Sequence, residues 1–252
     1  MTDWLARTGL ILGDERLKKL EAANVLVVGL GGVGAYAAEM ICRAGIGKMT
    51  IADGDIIAPS NRNRQLPALK STEGLSKAEV MGQRIRDINP GIKLTVIGEY
   101  LKDQRMIDVL DAGFDYVVDA IDTLSPKIFL IHHSLQRKYT LVSSMGAGGK
   151  FDPTMIRISD ISETTGCPLA RILRKRLHRL GIRDGFTAVY SPEEVDKSKI
   201  VAADGGQNKA SIVGTISYMP AAFGLACASV VIRNLAGIQL PWGGVKLTKR
   251  KH

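Results

Sequence analysis

A chain of 252 residues, 45% hydrophobic and 23% charged, has the balance of a globular protein with one substantial core, which excludes a disordered or fibrous class and any need for disulfide or metal staples. The formal net charge of +9, from 34 Lys and Arg against 25 Asp and Glu, points to a polyanionic partner, nucleic acid first. The three cysteines, Cys42, Cys167 and Cys227, form no CxxC pair, which excludes a four-cysteine zinc site and suits a reducing cytoplasm.

The N-terminal stretch alternates apolar and charged residues without the long apolar run or small-residue cleavage site of an export signal. Asn24–Val28 is the first clear element, an apolar, β-branched run of the kind that forms an interior parallel strand. A glycine-rich turn follows at once. A helix is expected over Ala35–Ala44, a strand over Lys48–Ala52, and a helix over Lys77–Asn89 that Pro90 stops. Further strands are expected at Ile92–Ile97, Tyr116–Val118 and Thr140–Val142, separated by helical stretches around Met106 and over Lys127–Gln136. This alternation predicts a doubly wound, Rossmann-like α/β fold, a mostly parallel sheet with helices on both faces. No linker divides the chain, so residues 1–252 are taken as a single domain. The uncharged stretch 210–232 is long enough to span a bilayer, but Pro220 splits it into a strand-like piece and a helix, and a buried or subunit-facing element is the better reading.

The turn Gly29-Leu30-Gly31-Gly32-Val33-Gly34 sits between the first strand and its helix, where glycines Gly29, Gly31, Gly32 and Gly34 let backbone N–H groups approach a phosphate. Asp53 ends the second strand, the position of an acid for ribose hydroxyls. To this point a nicotinamide enzyme reads the same way. The next polar residues part from that pattern: Asp55, then Ser60-Asn61-Arg62-Asn63-Arg64-Gln65, then Lys77 opening a helix, and Asp122 after the fourth strand. Hydride transfer needs none of these. A triphosphate attacked at its α-phosphate needs cations on the departing pyrophosphate and a carboxylate for Mg²⁺, and Arg64, Lys77 and Asp122 supply that set as the candidate catalytic residues.

The glycine turn, the Asp53-Gly54-Asp55 strand end, the Asn/Arg/Gln stretch, Lys77 and Asp119-Ala120-Ile121-Asp122 together resemble the ubiquitin-activating-type adenylyltransferase superfamily. The resemblance implies that a carboxylate substrate attacks ATP to give an acyl-adenylate and pyrophosphate. It implies that Asp53 holds the ribose, that Asn61 and Arg64, within the stretch ending at Gln65, contact adenosine and phosphates, that Lys77 contacts phosphates, and that Asp122 holds magnesium. Arg7, in Arg7-Thr8-Gly9, resembles an arginine that reaches a neighbouring subunit's ATP, which implies a homodimer.

The second half narrows the resemblance. Gly146-Ala147-Gly148-Gly149-Lys150-Phe151-Asp152-Pro153-Thr154, then Ile158-Ser159-Asp160-Ile161 and Pro168-Leu169-Ala170-Arg171, are similar to the tRNA threonylcarbamoyladenosine dehydratase family. That resemblance implies ATP-dependent cyclisation of a threonylcarbamoyl group on tRNA. Where some members carry a cysteine before the C-terminal helix, this chain reads Lys209-Ala210-Ser211-Ile212-Val213-Gly214, so no thioester is expected there. Cys42 and Cys227 read as core residues, and Cys167, before Pro168, as one nearer the surface with no activating base. His132, His133 and His178 lack ligand spacing, and no zinc is expected.

Leu169, Leu173, Leu177 and Leu180 mark the docking face of an amphipathic helix, leaving Arg171, Arg174, Lys175, Arg176 and Arg179 free for tRNA phosphates. The tail Lys246–His252 adds further cations. Three rivals remain at this level: an adenylyltransferase for a carrier protein's C-terminus, a nicotinamide oxidoreductase, and a silent tRNA-binding protein. The residues leave open which tRNAs are served, whether a monovalent cation sits in the Gly146–Asp152 loop, and whether a sulfur-transfer protein assists.

Overall fold

Five residues, Asn24–Val28, four of them Val or Leu, make the central strand, and the sheet grows outward from it on both sides. The computed structural model describes residues 3–196, 198, 200–202 and 211–238. Two short helices, α1 (Ala6–Leu12) and α2 (Asp14–Ala22), precede β1 (Asn24–Val28). The chain then alternates through α3 (Gly34–Arg43), β2 (Lys48–Ala52), α4 (Lys77–Ile88), β3 (Lys93–Ile97), α5 (Asp103–Leu110), β4 (Tyr116–Asp119), α6 (Leu124–Gln136) and β5 (Thr140–Ser144). Next come β6 (Arg157–Asp160), α7 (Pro168–His178), β7 (Thr187–Tyr190), two short strands β8 (Ile200–Ala202) and β9 (Ser211–Val213) paired with each other, and α8 (Tyr218–Leu235).

The seven-stranded sheet runs β3-β2-β1-β4-β5-β7-β6. All its pairings are parallel except the last, where β6 runs antiparallel to β7. Strand order therefore reverses between β1 and β4, and a crevice opens beyond their C-terminal ends, the place where doubly wound sheets bind ligands. Side chains alternate across the pleat: Val25 and Val27 join one core with Ala38, Ile41, Phe223 and Val231 of α3 and α8, while Leu26 and Val28 join the other with Met106, Leu130 and Leu173 of α5, α6 and α7.

Several expectations change. Helix α6 begins at Leu124, three residues before Lys127, because Pro126 lies in the first turn where its missing N–H has no intrahelical partner. For the same reason Pro220 lies inside the first turn of α8 and does not split it; the strand-like piece is β9, five residues upstream of the helix. That helix is long and apolar enough to cross a membrane, yet it packs against α3, where Gly224 meets the Val33 carbonyl and Tyr36, and buries Phe223, Cys227 and Val231. Cys167 is buried, not superficial. Leu180 lies past the end of α7 and is exposed, so the docking face is Leu173 and Leu177 with Ala170 and the half-buried Leu169. Lys209, Ala210 and the tail Lys246–His252 lie outside the described residues.

Candidate nucleotide-binding site

Backbone approach comes first, since a phosphate can only be cradled where no side chain intervenes. Gly29 has φ +90°, and a Cβ there would lie 2.7 Å from the Ala120 carbonyl oxygen. Gly34 opens α3 so close to the strand end that its Cβ would overlap the Gly29 carbonyl at 1.8 Å. The turn after β1 and the loop after β4 are thus pressed together, and α3 begins at that junction, so the positive end of its dipole lies there. On the far side, Gly32 abuts Pro220 and the Arg64 carbonyl, while Gly31 faces the Gln65 amide.

Asp53 is held by the turn itself: Leu30 N–H donates to its Oδ2 at 2.6 Å and Asp55 N–H to its Oδ1 at 2.8 Å. Burial pushes the Asp53 carboxyl up, against the pull of Lys77 and those two N–H groups. Lys77 is the first residue of α4, whose cap is the Ser76 hydroxyl accepting from Glu79 N–H. Lys77 is only 4% exposed and its Nζ donates to Asp55 Oδ2 at 2.7 Å. Tyr100 donates its hydroxyl to the other oxygen of Asp55. That hydrogen bond to a carboxylate, with partial burial and the charges of Asp55, Asp53 and Asp122, pushes the phenol up to about 12.

Arg64 and Gln65 face the glycine turn from the far side, on a turn that begins at Asn61. The Asn61 side chain accepts from Ala58 N–H at 3.0 Å, so it shapes the turn that carries its neighbours. Arg64 donates to the Ser60 carbonyl at 3.0 Å and to Asn63 Oδ1 at 2.8 Å, and Asn63 in turn donates to the Thr215 carbonyl at 3.0 Å. Among the described residues the buried Gln65 side-chain carbonyl oxygen has no hydrogen-bond partner, while its amide nitrogen faces Gly31.

Asp122 is exposed on the loop between β4 and α6. Among the described residues, no group of three or more His, Cys, Asp or Glu could hold a metal ion. A Mg²⁺ held chiefly by phosphate oxygens and one carboxylate needs no such group, and Asp122 fits it. Beneath this loop lies a feature that the sequence pattern did not single out. Lys127 and Asp119 form a fully buried ion pair, Nζ to Oδ2 at 2.8 Å, joined by the Ser143 hydroxyl at 2.6 Å. Beside the loop, Leu101, Met106, Leu124, Pro126 and Phe129 line a cavity of about 510 Å³ that Lys102 and Arg176 also border, large enough for a purine.

These contacts bring Gly29, Gly31, Gly32, Gly34, Asp53, Asp55, Arg64, Gln65 and Lys77 together beyond the C-terminal ends of β1 and β2, with Asn61 on the turn that carries Arg64 and Asp122 on the adjoining loop after β4. Arg7 is not among them. It is exposed on α1, close in sequence to Leu5, which packs on Gly45 at the C-terminal end of α3, about 15 Å of helix from the glycine turn. On α7, Arg171, Lys175 and Arg176 are exposed, as is Arg179 at its C-cap, whereas Arg174 is half-buried and donates to the Thr164 carbonyl at 2.7 Å. Arg174 is therefore a structural tie and not a free cation. Tyr100 and the Lys127–Asp119 pair escaped the sequence reading because neither has a signature: a tyrosine after a strand and a lysine in a helix are ordinary until tertiary contacts bring them to a carboxylate.

Residues 5–250 match the model of the ThiF family. The chain is 36% identical over 242 residues to the tRNA threonylcarbamoyladenosine dehydratase of Bacillus subtilis, covering 93% of this chain and 95% of that one. Among solved structures it resembles the tRNA N6-threonylcarbamoyladenosine dehydratase of Escherichia coli in complex with ATP, with a TM-score of 0.84, 35% identity, and coverage of 92% of this chain and 93% of that one. A structure of the same Escherichia coli enzyme in complex with AMP aligns with a TM-score of 0.84, 34% identity, and coverage of 94% of this chain and 97% of that one.

Proposed function

The chain belongs to the ThiF family, and on that premise we propose that it carries out the ATP-dependent dehydration of threonylcarbamoyladenosine in tRNA. The observation that carries this reading is similarity to dehydratases over 93% of the chain, second half included, joined to a crevice whose glycine turn, acids and cations have the chemistry of a nucleoside triphosphate site. A carrier-protein adenylyltransferase would share the first half, but not the similarity through Gly146–Asp160 and α7.

In this reading the glycine turn and the α3 N-terminus receive phosphates, Asp53 orients the ribose, and Lys77 leaves Asp55 to meet the incoming charge. Arg64 faces the pyrophosphate as it departs. Asp122 holds Mg²⁺, which when bound offsets charge on the phosphate oxygens. The threonyl carboxylate attacks the α-phosphorus, the bond to the β-phosphate oxygen breaks, and pyrophosphate leaves. The ureido N–H group then attacks the activated acyl carbon and gives up its proton, AMP departs with the former carboxylate oxygen, and the nucleoside has lost the elements of one water. Such ring closure is intramolecular, with effective molarities reaching about 10⁵–10⁸ M, and asks of the protein chiefly orientation and exclusion of water. No thiol is needed, and burial pushes both the Cys42 and Cys227 thiols up to about 12.

We assign tRNA binding to the exposed cations of α7 and its C-cap, Arg171, Lys175, Arg176 and Arg179, and propose a cytoplasmic homodimer in which Arg7 serves the partner's site. One ATP-binding unit spans the whole chain in this reading. The test is incubation of tRNA bearing threonylcarbamoyladenosine with the protein, ATP and Mg²⁺, followed by nucleoside mass analysis. Loss of one water, abolished in Asp122→Ala and reduced by about 10²–10³ or more in Arg64→Ala, supports the reading. An unchanged nucleoside mass with bound ATP refutes it.

A further inference from the structure

The loop that carries Asp122 is fastened from below. Ala120 N–H donates to the Val28 carbonyl at 2.9 Å and Ile121 N–H to Asp119 Oδ1 at 3.1 Å. The third tie comes from the helix: Lys127 Nζ donates to the Ile121 carbonyl at 3.0 Å while pairing with Asp119 Oδ2. One ammonium therefore holds both the strand end before the loop and the carbonyl immediately before Asp122. Lys127 and Asp119 are both completely buried, and Ser143 on the neighbouring strand donates to the same Asp119 oxygen.

Placing two full charges in a dry interior is costly, and apolar residues of similar volume usually stabilise such a position equally well or better. A buried pair here calls for a return other than stability. Its geometry supplies one: the ammonium fixes the Ile121 peptide, and that peptide fixes the direction in which the next residue leaves the strand. We infer that Lys127 is a positioning residue for Asp122, setting the aim of its carboxylate toward the metal-bound phosphates while touching neither substrate nor metal. The inference rests on the adenylation reading and deepens it.

The discriminating variant is Asp119→Asn combined with Lys127→Met, which removes both charges at nearly constant volume. Lys127→Met alone strands a buried carboxylate and is expected to fold poorly, so the double variant keeps the question open to measurement. Three quantities are read: the thermal midpoint, the Kd for ATP in EDTA by calorimetry, and the Mg²⁺ concentration for half-maximal ATP–pyrophosphate exchange. A positioning role predicts an unchanged or raised midpoint, metal-free ATP affinity within about twofold of wild type, and a Mg²⁺ requirement about tenfold higher, the equivalent of about 1.4 kcal/mol. Wild-type Mg²⁺ dependence in the folded double variant overturns the inference, as does an equal loss of metal-free ATP affinity, which would make the pair a general prop of the site. Wild-type protein with no exchange at all would instead remove the adenylation reading, and this inference with it.

Discussion

At the scale of single residues, the site depends as much on missing side chains as on those present. Gly29 combines a left-handed backbone with a neighbour that leaves no room for a Cβ. Gly29→Ala is expected to lose at least about 1–2 kcal/mol from the backbone conformation alone, and more because the displaced Ala120 carries the Asp122 loop with it; denaturant unfolding and ATP titration read the two effects. The cysteines make the opposite prediction. With all three buried, Cys167→Ser should retain dehydration within a few-fold of wild type, and abolished turnover in a folded variant would restore a covalent step. Lys77 shows how a residue can be legible and still incomplete: its place at the start of a helix was readable, but its present partner, Asp55, and the hydroxyl of Tyr100 on that same carboxylate belong to contacts between β2, α4 and the end of β3.

At the scale of elements, charge is used for two different ends. Glu39 on α3 is buried between Arg43 of its own helix and Arg84 of α4. Burial alone would raise its carboxyl, but hydrogen bonds from Arg84 and Arg43 outweigh that and hold it below its ordinary value of 4.5. A carboxyl depressed in the folded state adds stability that is fully present above about pH 4.5 and fades as pH falls through the lowered folded value. Glu39→Gln should therefore cost about 1–3 kcal/mol at neutral pH, and the gap from wild type should close in unfolding curves taken progressively below pH 4.5. Helix α7 divides its cations by the same logic. Arg174 ties the helix to Thr164, so Arg174→Ala should lower the melting temperature with little change in tRNA affinity. The neighbours that project from the helix should behave the other way round.

At the scale of the whole molecule, a charge of +9 sets a long-range attraction for RNA that the exposed face of α7 converts into contacts. Replacing Arg171, Lys175 and Arg179 together with Ala should weaken tRNA binding and flatten its salt dependence by up to about 0.9 in log–log slope for each phosphate no longer neutralised; filter binding across a salt series measures it, and an unaltered slope would make α7 ordinary surface. By itself the sequence determined the alternation of elements, the glycine turn, and the acids and cations at strand ends, because those arise from local period, turn chemistry and spacing. Only the tertiary structure decided the rest. It showed which of the α7 cations is committed, since Arg174 meets Thr164 from ten residues away, and it drew Cys167 inward and left Leu180 outside. It also revealed the Lys127–Asp119–Ser143 network beneath Asp122, formed where β4, β5 and α6 converge. A buried ion pair leaves no periodic trace in a sequence, because its two halves are paired by distance in space and each alone reads as an ordinary polar residue.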